Sequence, residues 1–128
     1  MKYFYCLILS IVLLSSCKKS EEGPENVDVK IVVRSSPGTF GIWSITAKSY
    51  LKTGTVTYLD EPGKHTNFEK IVSVKNKTVL TIAASGPSTT ANILIELFIK
   101  DKKVAEENWT TSYLPRGATI NHYVDVHN

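Results

Sequence analysis

Apolar residues recur at every second position in short runs from Val27 to Val126, and that period belongs to half-buried strands, not to helices. Val27, Val29, Ile31 and Val33 alternate with Asp28, Lys30 and Arg34, which predicts a strand closed by Ser35-Ser36-Pro37-Gly38. A second strand is expected over Ile42 to Leu51, with Trp43, Ile45 and Ala47 on the core face and Ser44, Thr46 and Lys48 opposite. Lys52-Thr53-Gly54 turns the chain into Thr55 to Leu59, and Asp60-Glu61-Pro62-Gly63 reads as another break that leaves His65 in a loop. Over Asn67 to Val74, Phe68, Val72 and Val74 share a face with Lys70, and Ile71 takes the other. Asn76 turns the chain into Thr78 to Ala84, and Ser85-Gly86-Pro87-Ser88 breaks it again. Thr90 to Ile99 puts Ile93, Ile95, Leu97 and Ile99 on one face and Leu94 and Phe98 on the other, as expected of a central strand covered on both sides. A turn at Lys100-Asp101-Lys102 leads into Val104 to Thr110, and Ala118, Ile120, Val124 and Val126 mark a final strand.

About seven or eight strands with this turn spacing predict an all-β fold, an immunoglobulin-like antiparallel β-sandwich, with a small closed barrel as the alternative. A domain of about 100 residues buries over ~60% of its unfolded surface, enough for one core. Cys6 and Cys17 both precede the first strand, so residues 27–128 hold no thiol and pack without disulfides. Fifteen Lys and Arg face 12 Asp and Glu, a net charge of +3. The basic residues are scattered singly among acids, which leaves no focused field for nucleic acid.

The first sixteen residues read as a cleavable leader. Lys2 supplies the positive start, and Tyr3 to Leu14 is an apolar run. Spanning a bilayer takes about 20 apolar residues, so this run is too short for a membrane anchor. Leu14-Ser15-Ser16-Cys17 resembles the lipobox of bacterial lipoproteins. The resemblance implies cleavage before Cys17, a thiol carrying two fatty chains and usually an acylated amino group. One chain binds a membrane reversibly, whereas two or three hold firmly. Residues 17–26 form a lipidated tether, polar and carrying a Gly23-Pro24 pair. Cys17-Lys18-Lys19-Ser20-Glu21-Glu22 is also similar to the start of many Bacteroidetes lipoproteins. That likeness implies the outer membrane, with the domain either surface-exposed or facing the periplasm.

The hairpin from Ile93 to Val104 is similar to one in small β-sandwich lipoproteins and MmpS-like proteins. Their early strand-turn-strand resembles Trp43 to Tyr58, and another of their strands resembles Val79 to Ala84. Here the turn reads Asp101-Lys102 where those proteins carry Asp-Gly. The resemblance implies the sandwich and, for function, an accessory subunit of an envelope transport or export complex.

Candidate chemistry is sparse. The strand region has no cysteine and no Gly-x-Ser-x-Gly nucleophile elbow. His65 reads as a solvated loop residue, His122 as an edge-of-core residue in phase with Ile120 and Val124, and His127 as part of a frayed end. Asp125 with His127, and Asp60 or Glu61, do not assemble a metal site by their spacing, so no metal and no cofactor is expected. Glu106 and Glu107 point to opposite strand faces and cannot share a substrate as a carboxylate pair. Trp109, Tyr113 and Arg116 are the candidate binding residues, because aromatic faces beside polar groups suit a sugar or a protein. Lys100, Lys102 and Lys103 make a basic turn tip able to meet anionic headgroups. Asn76-Lys77-Thr78 and Asn108-Trp109-Thr110 match the glycosylation sequon, idle in a bacterial lipoprotein.

The sequence therefore predicts a monomeric, non-enzymatic binding module for a protein or glycan, anchored at the cell envelope through Cys17. The transport accessory subunit is the second reading and a small hydrolase the third.

Overall fold

A computed structural model describes residues 25–35, 41–87, 92–110 and 116–127. They form eight strands: β1 (Asn26–Ser35), β2 (Ile42–Leu51), β3 (Gly54–His65), β4 (Asn67–Lys75), β5 (Thr78–Gly86), β6 (Asn92–Ile99), β7 (Lys102–Thr110) and β8 (Arg116–Val124). The strands build two four-stranded antiparallel sheets, ordered β4-β1-β6-β7 and β3-β2-β5-β8. The fold is a β-sandwich and not a closed barrel. Pairing β1 with β4 in one sheet and β2 with β5 in the other reproduces neighbours of the immunoglobulin-like arrangement. It departs from that arrangement in drawing the other neighbour of β1 from late in the chain, as β6.

The inner faces are mainly aliphatic. Val29, Ile31, Val33, Val74, Ile93, Ile95 and Leu97 of the first sheet meet Ile45, Ala47, Leu80, Ile82, Ala84 and Val124 of the second. Period-two alternation along the strands selects these residues, and fully burying one of the Val, Leu or Ile side chains contributes about 1.5–3 kcal/mol. Ser49 is the polar exception in β2, and its hydroxyl donates to the Val79 carbonyl at 2.8 Å.

Two features of β2 and β3 correct the sequence reading. Asp60-Glu61-Pro62-Gly63 does not break the chain, because β3 runs through it to His65, which pairs with Ile42 as a strand residue. β3 is an edge strand, where a proline lacking an N–H costs no ladder bond. Trp43 is also not a core residue and stands 51% exposed. Between the pairs Ile42–His65 and Ser44–Pro62, Trp43 alone faces Gly63 and Lys64, a β-bulge. Beside the bulge the alternation of β2 is also broken: Ile42 and Ile45 are both buried, and Trp43 is exposed. Gly63 has φ 132°, a conformation that favours glycine. Nearby, a Cβ on Gly41 would lie 2.3 Å from the His65 carbonyl oxygen, so only glycine lets β2 begin against β3 there.

Other boundaries differ less. β5 keeps Ser85 and Gly86 as strand residues, and β8 stops at Val124, leaving Asp125 and His127 beyond it. The β6–β7 turn is Lys100-Asp101, within the expected Lys100-Asp101-Lys102 and one residue earlier than the Asp101-Lys102 turn that the resemblance implies. Ile99 pairs with Lys102, and both turn residues have positive φ, 51° and 62°. Leu94 and Phe98 are only half-buried, so the outer face of β6 is covered by side chains and not by a further layer.

Strand direction gives the sandwich two unlike poles. The two-residue connections Lys52-Thr53, Asn76-Lys77 and Lys100-Asp101 lie at one pole. The ends of the described chain lie there too. Asn76 N donates to the Glu25 carbonyl at 2.8 Å, and Asn76 Oδ1 accepts from Val126 N at 3.4 Å. The strand ends at Ser35, Ile42, Gly86, Asn92, Thr110 and Arg116, with the β3–β4 turn at Thr66, lie at the opposite, loop-bearing pole, where Ser35 N donates to the Thr66 carbonyl at 3.0 Å.

Candidate functional site

The outer face of the first sheet is built in rows that the strand register dictates. One row crosses β4, β1, β6 and β7 as Glu69, Val32, Glu96 and Glu106, and the next as Asn67, Arg34, Leu94 and Asn108. Successive rows on one face stand about 7 Å apart. Side chains in one row therefore reach those in the next.

Glu96 is 8% exposed, an uncommon burial for a carboxylate on an outward face. Two cations make it tolerable. Lys103 Nζ donates to Glu96 Oε1 at 3.3 Å and also to Glu106. Arg34 Nη1 lies 3.2 Å from Glu96 Oε2, close enough for charge pairing but off the direction of a hydrogen bond. Hydrogen bonding to Glu106, then to Glu96, raises the Lys103 pKa above the usual lysine value. At the far edge Lys30 pairs with Glu69 at 2.9 Å and lies over the Phe98 ring at 5.6 Å. Every charge in these rows has an opposite neighbour.

Arg34, at the loop-bearing end of β1, separates two adjoining hollows of about 340 Å³ each. One is lined by Arg34, Ser35, Asn67, Asn92, Leu94 and Asn108. The other is lined by Val32, Arg34, Asn67, Phe68 and Glu69. Three amides and a hydroxyl thus converge around one guanidinium, with half-buried Leu94 supplying an apolar patch. Asn92 Oδ1 is buried without a hydrogen-bond partner among the described residues, which costs about 1–3 kcal/mol. Such a set can recognise hydroxyl groups, since each amide both donates and accepts.

Two of the sequence-derived candidates, Trp109 and Arg116, belong to strand ends at the same pole. Trp109, near the end of β7, is half-buried and packs against the core. Arg116 opens β8, and Tyr113 lies outside the described residues. The structure therefore brings the strand ends bearing Trp109 and Arg116 to the hollow's pole. Arg34, Asn67, Asn92 and Asn108 escaped the sequence reading because each is an ordinary outward-phase polar residue. Only the strand order, which puts residues 34, 67, 94 and 108 in one row, reveals them.

Of the histidines, His65 packs edge-on against Phe68, with ring centroids 5.3 Å apart. Burial lowers the His122 pKa below the usual value, and its Nε2 has no hydrogen-bond partner among the described residues. His127 N donates to Asp125 Oδ1 at 3.0 Å. Glu61, pushed below the usual carboxylate range chiefly by its hydrogen bond from Lys70, ties β3 to β4 across the open side of the sandwich at 2.6 Å. Among the described residues no group of three or more His, Cys, Asp or Glu is placed to hold a metal ion.

Fold and hollow together define the chain as a β-sandwich with a polar, charge-balanced recess at its loop-bearing pole. Set against family models, curated proteins and solved structures, it matches none of them.

Proposed function

We propose that this chain is an acyl-anchored lipoprotein of the bacterial cell envelope, whose sandwich is a non-catalytic module that binds a glycan at the loop-bearing pole. The carrying observation is the polarity of the molecule. The tether leads into β1 at the tight-turn pole, while the amide-lined hollow lies at the other, so an anchor at Cys17 aims the hollow away from the membrane. A glycan suits the lining better than a protein partner. The charge of Arg34 is balanced by Glu96, the remaining polar groups are neutral, and Leu94 offers a surface for the C–H face of a sugar. Trp109 does not face this recess: it pairs with inward-facing Ile93 and packs against the core, one residue past outward-facing Asn108.

The test is capture of the acylated protein from its native envelope, followed by identification of what accompanies it and by a glycan binding screen. A bound glycan whose affinity falls at least about tenfold with Arg34→Ala or Asn108→Ala supports the proposal. Co-purification with an inner-membrane pump instead supports the transport-accessory reading. Mass spectrometry that finds Cys17 bare sinks the anchor.

A further inference from the structure

The tight-turn pole carries a surface that the glycan hollow does not use. On the outer face of the second sheet, Tyr50 of β2, Val79 of β5 and Tyr123 of β8 are 67%, 48% and 49% exposed. They form one row. Val79 pairs directly with Tyr123, and Tyr50 follows Ser49, whose partner in β5 is Leu80. Three large apolar or aromatic side chains on adjacent strands make a continuous exposed patch, where scattered single residues would need no account.

The tight turns at the same pole are basic. Lys52, Lys75, Lys77, Lys100 and Lys102 are exposed in or beside the three tight turns, against Glu25, Asp101 and Asp125. Tyrosines that present a ring and a hydroxyl, beside lysines on long aliphatic stems, are the side chains that settle at a membrane–water boundary. The tether reaches the same pole. Eight peptide steps from Cys17 to Glu25 span at most about 28 Å, less than the roughly 33 Å length of a ten-residue strand such as β1. A bilayer holding Cys17 is thus within reach of the tight turns.

We propose that the Tyr50–Val79–Tyr123 patch and the lysines at its pole dock on the anionic lipid surface that holds the anchor, a proposal that rests on the acylation of Cys17. Docking converts a loosely tethered domain into one with a fixed orientation, its hollow facing outward. Each lysine brought near an anionic surface adds to the attraction, and the effect weakens with salt.

The strand region has no native cysteine, so a single introduced one takes a nitroxide label selectively in the acylated chain. Val79→Cys reports on the patch, and Lys64→Cys, exposed near the opposite pole, is the reference. On vesicles containing phosphatidylglycerol, the label at 79 should collide several-fold more with oxygen and several-fold less with an aqueous nickel chelate than the label at 64. On phosphatidylcholine alone, or with Lys52→Glu, Lys77→Glu and Lys100→Glu combined, the difference should shrink. Equal water access at both positions on vesicle-bound protein overturns the docking and leaves the anchor standing. Immersion that survives the triple charge reversal overturns it too. Protein that fails to float with the vesicles, or that takes label at Cys17, overturns the anchor and the docking together.

Discussion

His122 pairs with Leu80 across the β5–β8 ladder, on the inward phase of an edge strand, with its Nε2 hidden from water. Burial disfavours its charged form, so the folded protein binds a proton there less readily than the unfolded chain. Between the depressed folded pKa and the unfolded value of about 6.5, the unfolded state therefore holds more protons, and stability falls as pH drops through that window. His122→Leu should flatten this segment of the stability–pH curve, as read by urea unfolding at a series of pH values. A second contrast separates the outward from the inward residues of β2. Trp43→Ala should change stability by no more than about 0.5 kcal/mol, because Trp43 stands on the surface. Ile45→Ala, at a fully buried position two residues on, should cost roughly 2–5 kcal/mol.

Among the elements, the β6–β7 hairpin holds the clearest local conflict. Lys100 and Asp101 occupy the two central positions of a two-residue turn, and both have positive φ. That turn prefers Asn-Gly, and a side chain such as lysine is strained there by about 1–2 kcal/mol. Lys100→Asn with Asp101→Gly should raise the urea midpoint, by a stability gain of about 1 kcal/mol, without altering the slope of unfolding. The sequence brackets this turn within Lys100-Asp101-Lys102, because charge and turn propensity mark a region and only the Ile99–Lys102 pairing marks the corner. Asp60 to Gly63 misleads for a related reason. Proline and glycine normally punctuate a strand, yet an edge strand accommodates the first and a bulge uses the second. Where apolar alternation is unbroken, as in β1 and β6, the inward residues are legible one by one from sequence, whereas in β4 exposed Lys70 interrupts the face of Phe68, Val72 and Val74.

For the whole molecule, the legible part is the sandwich and the illegible part is what lies beside what. Alternation identifies Arg34, Asn67 and Asn108 as outward, but no local pattern says that β1 separates β4 from β6 and so brings Arg34 between Asn67 and Leu94. The same strand order gives the molecule its two poles, roughly 33 Å apart along β1. Substitutions that far apart with no shared partner add within about 0.3–0.5 kcal/mol, whereas those sharing a charge network do not. Arg34→Ala combined with the Asn-Gly turn at positions 100 and 101 should therefore show the sum of its separate effects on stability. Arg34→Ala combined with Lys103→Ala should not. Either substitution alone leaves the buried carboxylate of Glu96 one remaining cation, and together they remove both. The double variant should lose more than the sum of the singles, and adding Glu96→Gln should recover part of the loss, because the stranded charge is the cost. Strict additivity of the two cation deletions in urea titrations would mean that Glu96 is solvated well enough to need neither.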